Sequence, residues 1–433
     1  MSEEPPDPPG QVEHRHGVSA IPTQQVSRIH ASDRLAQVES STLPDRPTVG
    51  QLLLALLVAL VVTAIWRKVL PLSVPRCCDA RVYLTMAADP THAVKSPYSH
   101  RIFLPWLTHL LGGPPKLTFD RISLACMVAT GPLVYAVTRR LGAVHWAALL
   151  AMVGLLSSRA WGFYLYDPWL TDPAAMLLVA AAFLAIVSGR VWVVALVGIV
   201  LAGVRELYIG LAAPAFGWLR GRLGTLRAAL TAGLLVLPGW LVYQWIVRTF
   251  PSKEVPGGRG FKSQTIFGLG SWVSDHGGVG YLMVVAVVLS FGCWWVLAVP
   301  SLGDDRVRPL LWWLVPVFGQ FVFGGDWGRF VLYAFPVVIP AAALTLQRLR
   351  PWVRAVVLAI LGLQLLTPLL DMNPADRMRL NSPGPSVLVT AALMAVTVVV
   401  LVAFAVTGRR RRPEPVPTSS HENGRVVRGR PSR

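Results

Sequence analysis

The segment 51-QLLLALLVALVVTAIWRKVL-70 is the clearest guide to the fold of this protein. A helix needs about 20 mostly apolar residues to cross the hydrocarbon core of a bilayer, and this segment supplies them. The residues before it are polar and rich in proline, and its apolar core is longer than the roughly 7–15 residues of a cleavable signal peptide. We therefore expect the segment to stay in the membrane as a signal anchor.

The same bias extends over the whole chain of 433 residues, of which 54% are hydrophobic and only 14% are charged. Soluble globular chains carry about 25% charged residues, so a water-soluble fold could not hide this much apolar surface. Apolar run lengths and turn-forming residues predict about twelve spans, within a range of about 10 to 13. The predicted spans are 51–70, 121–138, 143–157, 174–189, 191–204, 207–219, 228–248, 279–299, 310–323, 330–346, 355–370 and 386–407. The predicted fold class is thus an all-α, polytopic bundle of transmembrane helices.

Two polar tails flank the predicted membrane domain, which covers residues 49–408. Residues 1–48 are polar, rich in proline and low in aromatic residues, a composition typical of disorder. Residues 409–433 are similar and strongly basic, which favours contact with anionic lipid. We expect both tails to be disordered and cytoplasmic, and the first extracytoplasmic loop, residues 71–120, to be the longest loop of the domain.

The distribution of arginine predicts the orientation in the membrane. One set of short loops contains eleven arginines and only two acids, an excess of positive charge that is typical of the cytoplasmic side. An even number of spans then places both termini in the cytoplasm, with the protein in the inner (cytoplasmic) membrane. Topology and lipid contact also account for much of the net charge of +18. We therefore predict membrane lipids, and no nucleic acid, as partners.

The acidic residues of the predicted membrane domain lie mostly on one predicted side of the membrane. Between the tails there are thirteen of them, two on the predicted inner side and eleven on the outer side. The sequence pattern predicts that every one lies in a loop, with none at mid-span. An ion-coupled transporter usually keeps carboxylates at mid-membrane, because coupling happens there. This distribution instead favours an enzyme that works at the outer surface of the membrane.

The first outer loop contains two amphipathic segments. From Asp79 to Asp89 the apolar residues recur at helical spacing. The second segment, residues 99–111, places Trp106 on an apolar face and has a polar side formed by His100, Arg101 and His109. An amphipathic helix that carries tryptophan suits the membrane interface. We expect interfacial helices here that frame a groove open to lipid.

The order of these features is a signal-anchor span, an aspartate early in a long outer loop, interfacial helices and then many spans. This order resembles the GT-C superfamily of integral-membrane glycosyltransferases, which includes mannosyl- and arabinosyltransferases that use polyprenyl-phosphate sugars. The pattern Asp79-x-x-x-Tyr83-x-x-x-Ala87, followed by Tyr98-x-x-Arg101-x-x-x-Pro105-Trp106-Leu107, is similar to the first loop of that group. The resemblance covers roughly residues 51–370.

The resemblance implies that Asp79 is the catalytic acid of the first loop, with Tyr83 and Arg101 nearby as substrate-binding residues. Asp79 would act as a general base on an acceptor hydroxyl. The alternative is that Asp79 only caps the helix that it begins. The family's acidic motif often has two adjacent carboxylates, whereas Asp79 has no acidic neighbour. We therefore predict no metal ion and no cofactor, since nothing in the sequence supports a divalent cation.

Three further clusters supply candidate substrate-binding residues. Asp167 stands among aromatic residues, as in many sugar sites, although an interfacial aromatic belt has the same composition; its neighbour Asp172 is expected to start a helix. Arg205 and Glu206 form either an interfacial salt bridge or a contact to a lipid phosphate. Asp326 and Arg329 lie in a glycine-rich turn, which is either a plain turn or a donor-phosphate site.

Three functions follow from these features. The first is a glycosyltransferase that moves a sugar from a polyprenyl-phosphate donor to a glycan, lipid or protein acceptor of the cell envelope at the extracytoplasmic face. The second is a transporter or lipid flippase without covalent chemistry, and the third is a non-catalytic partner in envelope assembly. The long first loop and the outer acids favour the first function.

Overall fold

The structure is a computed structural model, and it describes residues 46–70, 78–92, 94, 98–250, 279–320, 327–370 and 385–409. Within these ranges the regular structure is helical. The α-helices are α1 (Val49–Val69), α2 (Cys78–Ala88), α3 (Phe103–Leu111), α4 (Pro115–Arg140), α5 (His145–Leu156), α6 (Arg159–Tyr166), α7 (Asp172–Val187), α8 (Trp192–Ala202), α9 (Ala212–Leu223), α10 (Thr225–Thr249), α11 (Val279–Phe291), α12 (Cys293–Ala298), α13 (Leu314–Gly319), α14 (Trp327–Leu332), α15 (Phe335–Arg348), α16 (Pro351–Leu366) and α17 (Pro385–Arg409). Short 3₁₀ turns span Tyr98–His100, Glu206–Leu211, Val299–Ser301, Arg308–Trp313 and Thr367–Leu370.

Five of the described helical segments, α1, α4, α10, α17 and α16 with its 3₁₀ extension, are long and apolar enough to cross a membrane. Two further pairs pass the same test together but are bent, α5 with α6 by 50° and α11 with α12 by 80°. The chain is therefore a helical, membrane-embedded protein, and its described residues contain five to seven candidate spans. The predicted span 143–157 corresponds to only the first half of a bent pair, because helix α5 ends at Leu156 and α6 continues in another direction.

Helix α1 shows why the first apolar segment folds as it does. Thr48 caps it, since its hydroxyl accepts from the backbone N–H of Gln51 at 3.3 Å while the Gln51 side chain accepts from the backbone N–H of Thr48. Its buried residues are Ala55, Ala59 and Thr63, one per turn. Such a stripe of small residues lets two helices approach closely in a membrane. This stripe packs on α4 at Gly131, which lies against Ala59. The rest of α1 is mostly exposed and apolar.

Helices of the bundle differ in how much of their surface is buried, and α15 and α10 show the two extremes. Every residue of α15 from Phe335 to Leu346 is buried, so this helix lies at the centre of the bundle. In contrast, α10 exposes a leucine stripe on its outer side, made up of Leu226, Leu230, Leu234, Leu237 and Leu241. An exposed stripe of this length would be unstable in water and is stable against lipid tails.

Polar contacts between segments gather at two separate ends of the long helices. At one end, beyond the carboxyl termini of α4 and α15, Arg306 donates to the carbonyl of Leu141 at 3.2 Å. At the same end, the backbone N–H of Val144 donates to Gln347 at 2.7 Å. The other end, at the amino terminus of α7 and around α2 and α14, contains most of the sequence-predicted site residues. The bundle thus positions the candidate site at one of its two polar ends.

Several predictions fall on residues outside the described ranges. These include the predicted disorder of the two tails, apart from residues 46–48 and Arg409, and the candidate site residue Asp326. In the predicted first outer loop, the structure confirms both predicted helical segments. They are α2 at Cys78–Ala88 and, for the second, the 3₁₀ turn at Tyr98–His100 followed by α3 at Phe103–Leu111. Trp106 on α3 is 47% exposed, as the amphipathic pattern predicts.

Candidate functional site

Asp79 lies in the first turn of α2, and both of its carboxylate oxygens accept hydrogen bonds from distant segments. The phenol of Tyr98 donates to Oδ1 at 2.6 Å, and the guanidinium of Arg329 donates to Oδ2 at 3.0 Å. The Asp79 side chain is 19% exposed. The carboxylate is therefore used in tertiary contacts rather than as a helix cap, and it remains accessible to solvent.

Arg329, on the short helix α14, joins this aspartate to a second one. One guanidinium nitrogen donates to Asp79 and the other donates to Asp172. A planar guanidinium has donors at fixed angles, so it can hold two carboxylates in a defined relative position. Residues from the first loop and from the start of α7 are thereby fixed to one another through α14.

Asp172 is fully buried at the start of α7 and is the most heavily paired acid of the site. Its carboxylate accepts from Arg205 and Arg329, and from the phenol of Tyr333 at 2.8 Å. The prediction that every acid lies in a loop is wrong for Asp172, and also for Asp79 and Asp120, because all three lie in α-helices. Asp172 is the first residue of its helix and has no exposed surface. A buried carboxylate is tolerated only with strong partners, and two guanidiniums and a phenol supply them.

We call the connected set of Asp79, Tyr98, Asp172, Arg205, Arg329 and Tyr333 the Asp79–Arg205 network. Its two aspartates and two arginines carry charges that sum to zero. Exposure falls along it, from Asp79 at 19% to Asp172 at 0%. The network therefore has an accessible end at Asp79 and a buried end at Arg205, whose guanidinium also lies 5.4 Å from the ring centre of Tyr333.

A second ion pair lies beside the network. Arg101 donates to both carboxylate oxygens of Glu206, at 3.0 to 3.2 Å, and to the phenol of Tyr83 at 3.1 Å. The backbone explains why these segments meet, because the N–H of Phe103 donates to the carbonyl of Gly203 at 2.9 Å. The ring of Tyr83 packs edge-on against Tyr98, with ring centres 5.7 Å apart. The Arg101–Glu206 pair is thus in contact with the network through these two tyrosines.

The electrostatic surroundings keep Asp79 ionised. Burial raises the pKa of this carboxyl, but the positive charge of Arg329 and the hydrogen bonds from Tyr98 and Arg329 outweigh it, so the pKa lies below its ordinary value of 3.8. Burial and the neighbouring carboxylate raise the pKa of Tyr98. Tyr98 therefore remains a protonated donor while Asp79 remains a charged acceptor over the physiological pH range.

The structure brings together six of the eight sequence-predicted site residues: Asp79, Tyr83, Arg101, Arg205, Glu206 and Arg329. Asp326 lies outside the described residues. Asp167 follows the last residue of α6, where its backbone N–H donates to the carbonyl of Phe163 at 2.8 Å, and its role stays a prediction.

Three members of the network were not among the sequence-predicted site residues: Tyr98, Asp172 and Tyr333. Tyr98 belongs to the first-loop pattern that carries the resemblance, so its spacing before Arg101 was an available signal. Asp172 was interpreted as a helix start because it precedes a proline. Tyr333 stands in an apolar run, and nothing in the sequence distinguishes it from an ordinary core tyrosine.

Within the part of the chain that the structure describes, no group of three or more histidine, cysteine, aspartate or glutamate side chains is arranged to hold a metal ion. The carboxylates of the site contact guanidiniums and phenols instead. Such an arrangement can hold an ionised carboxylate in place and can present arginines to an anionic group.

Comparison with protein families, with curated proteins and with solved structures finds no match to this chain.

Proposed function

We propose that this protein is a membrane glycosyltransferase of the GT-C type, which transfers a sugar from a polyprenyl-phosphate donor to an acceptor hydroxyl in the cell envelope. The observation that supports it is the Asp79–Arg329 pair. A partly exposed, ionised carboxylate from the first loop is held by an arginine from a late helix. This pair combines a base with a cationic group at the place where an interfacial helix meets the bundle.

In the proposed reaction the acceptor oxygen attacks the anomeric carbon, and the bond from that carbon to the phosphate oxygen breaks. Asp79 takes the acceptor's proton. The leaving polyprenyl phosphate needs no proton but does need stabilisation of its charge, which Arg329 provides. A phosphate on Arg329 also competes with Asp79 for that guanidinium, so donor binding raises the pKa of Asp79 and makes it a better base.

The proposal includes about twelve passes through the membrane. It treats α5 with α6, α11 with α12, the 3₁₀ turn Arg308–Trp313 with α13, and α14 with α15 as one pass each. In support, the chain alternates between two polar ends. Residues near 79–101, 172, 205–206 and 329 share contacts at one end, and residues near 141–144, 304–306 and 347–348 share contacts at the other.

The proposed orientation places the Asp79–Arg205 network on the extracytoplasmic side of the inner membrane and both termini in the cytoplasm. It is supported by arginines at the opposite end, where Arg140 lies close enough to Arg46 and Arg190 for mutual repulsion. Clustered arginines favour the cytoplasmic side with its anionic lipid. We propose α2 and α3 as the interfacial helices that admit the lipid-linked donor.

One observation favours the alternative, a transporter or flippase without covalent chemistry. Asp172 is a fully buried carboxylate between two arginines, and buried charge pairs of this kind occur in ion-coupled carriers. Its position at the start of α7, rather than midway along a helix, makes it better suited to supporting Asp79. We therefore rank the transferase first.

The experiment compares Asp79→Asn with Asp89→Asn in membranes supplied with a panel of radiolabelled polyprenyl-phosphate hexoses and pentoses. Asp89 is exposed, and its described side-chain contacts are local, with Thr91 and His92, so it controls for the loss of one carboxylate. We expect transfer by wild type and Asp89→Asn, and a loss of about 10²-fold or more in Asp79→Asn.

Equal transfer by Asp79→Asn and wild type would exclude Asp79 as the base. If wild type transfers no sugar from any donor but moves a lipid-linked sugar across proteoliposomes, the transporter is correct. Analysis of envelope glycans and lipids in a deletion strain then identifies which product is missing.

A further inference from the structure

Beside the Arg101–Glu206 pair lies a group of polar and aromatic side chains that the proposed reaction does not use. We call His100, Glu206, Tyr208 and Tyr243 the Glu206 cluster. The phenol oxygen of Tyr243 lies 3.2 Å from Nδ1 of His100, and the two rings pack edge-on with their centres 5.5 Å apart. The ring centre of Tyr208 lies 5.8 Å from that of Tyr243. Two 3₁₀ turns and helix α10 therefore meet at this cluster.

The carboxylate of Glu206 is oriented by the protein but is not enclosed by it. Arg101 contacts both of its oxygens, at 3.0 to 3.2 Å. An ionised carboxylate offers about four lone-pair positions to donors. The Glu206 side chain is still 35% exposed. It can therefore accept further hydrogen bonds from a ligand while Arg101 balances its charge.

Tyr208 supplies a donor next to this carboxylate. Its side chain is 1% exposed, and its hydroxyl has no hydrogen-bond partner among the described residues. Buried hydroxyls normally have a partner, because an unpaired one costs free energy. Glu206 and Tyr243 lie close enough to interact with it electrostatically. The ring is held in place by α10, where a Cβ atom at Gly239 would meet it at 2.9 Å.

We infer that the Glu206 cluster binds a hydroxyl-rich ring, and hence that the acceptor in the proposed reaction is a carbohydrate. This assignment of the acceptor rests on the proposed function. Neighbouring hydroxyls of one sugar can donate to Glu206 and accept from Tyr208, because each hydroxyl is both a donor and an acceptor. The partly buried ring of Tyr243 adds an apolar face.

Two other acceptor chemistries fit the cluster less well. A phosphate group would be repelled by the carboxylate of Glu206. A serine or threonine side chain has one hydroxyl, which can contact the cluster or react at Asp79 but cannot do both. A sugar has several hydroxyls, so some can bind at the cluster while another reacts.

The turn Tyr98–His100 connects the cluster to the proposed base. Tyr98 donates to Asp79 at 2.6 Å, while His100, two residues later, contacts Tyr243. Burial lowers the pKa of His100 below its ordinary value despite the nearby carboxylate of Glu206. The imidazole is therefore uncharged at neutral pH and suits contact with neutral hydroxyls. A sugar bound at the cluster can present a further hydroxyl to Asp79.

The first test measures sugar binding by the full-length protein in phosphatidylcholine nanodiscs. Saturation-transfer NMR titrations use methyl α-mannoside, methyl α-glucoside and methyl α-galactoside as probes, and N-acetylserinamide as a peptide hydroxyl. We expect wild type to bind at least one glycoside and not N-acetylserinamide. Tyr208→Phe removes one hydroxyl and should weaken that binding about five- to tenfold. Tyr135→Phe, which removes a hydroxyl that contacts His145 at the other polar end, should bind the glycoside as wild type does.

Thermal unfolding separates a binding role for Tyr208 from a structural one. Its hydroxyl has no described partner, so Tyr208→Phe should unfold at the wild-type midpoint or above it. Tyr135→Phe loses a hydrogen bond and should unfold at a lower midpoint. Weaker glycoside binding by a Tyr208→Phe protein as stable as wild type supports the site. Unchanged binding by that variant, or no glycoside bound by wild type, overturns it.

Transfer kinetics distinguish this inference from the proposed function. Tyr208→Phe should raise the KM for the acceptor glycoside and leave kcat and the donor KM near wild type. A rise in the donor KM alone would place the donor sugar at the cluster and overturn the assignment to the acceptor. If wild type transfers sugar to a peptide hydroxyl and binds no glycoside, the inference fails and the transferase stands. If it binds a glycoside but transfers nothing, the transferase and the acceptor role fail while the sugar site stands.

Discussion

The guanidinium of Arg329 donates to Asp79 at 3.0 Å although 250 residues separate them in the chain. The same guanidinium donates to Asp172, which is 157 residues away. One arginine on a short, late helix therefore determines the relative position of the first-loop helix α2 and the start of α7.

Replacing Asp172 with asparagine should strongly destabilise the protein. The substitution leaves Arg205 and Arg329 near one another without the carboxylate that both contact at a fully buried position. Breaking a buried ion pair in this way costs about 3–5 kcal/mol. Thermal unfolding in detergent should show a much lower midpoint for Asp172→Asn and an unchanged midpoint for the exposed control Asp89→Asn. Equal midpoints for both variants would mean that the buried charges do not hold the helices together.

Replacing Tyr98 with phenylalanine should shift the pH dependence of sugar transfer. The hydrogen bond from Tyr98 lowers the pKa of Asp79, so its removal raises that pKa. Transfer requires the ionised carboxylate, and activity falls as the pH drops through its pKa. The acid limb of the rate profile should therefore move to higher pH in Tyr98→Phe. An unmoved limb would show that Asp79 is not the group that controls it.

The same pKa shift affects stability. The pKa of Asp79 is lower in the folded chain than its ordinary value of 3.8. Its ion pair therefore stabilises the fold fully above the unfolded-state pKa, and this contribution is lost as the pH falls through the folded-state value. Arg329→Gln should reduce the difference in unfolding midpoint between neutral and acidic pH. A difference as large as that of wild type would argue against this linkage.

A glycine pair in α9 tests the packing of the bundle. A Cβ atom at Gly217 would meet the carbonyl oxygen of Pro309 at 2.0 Å and the Trp312 ring at 2.6 Å, whereas a Cβ at Gly221 would meet nothing within 4 Å. Gly217→Ala should therefore force α9 away from the neighbouring 3₁₀ turn, at a cost of about 1–3 kcal/mol. Gly221→Ala, on the same helix, should unfold at the wild-type midpoint or slightly above it. Similar midpoints for both variants would contradict the close contact.

Sidedness is testable with single cysteines in a background where the four native cysteines are serine. Thr91 and Asp305 are both exposed and lie near opposite polar ends of the bundle. A membrane-impermeant maleimide added to intact cells should label Thr91→Cys and should label Asp305→Cys only after permeabilisation. The opposite result would place the Asp79–Arg205 network in the cytoplasm, and an extracytoplasmic transferase would be excluded.

The sequence alone determined that this is a helical membrane protein. Runs such as 51–70 are apolar over the length of a bilayer, and partitioning of apolar side chains out of water depends on composition and run length rather than on contacts. The helices of the first loop were predictable for a related reason, because amphipathic spacing is a local property. Six of the eight predicted site residues also meet in the structure, since charges near a bilayer are retained mainly where they have partners.

Only the tertiary structure decided which charges are partners. From the sequence, Arg205 and Glu206 form either an interfacial salt bridge or a contact to a lipid phosphate. In the structure Arg205 contacts Asp172, while Glu206 contacts Arg101. Tyr333 and Asp172 became part of the site only when α7 and α14 were brought together. Ion pairs and cavities depend on distances of a few ångströms between segments far apart in sequence, and those distances are set by how the helices pack.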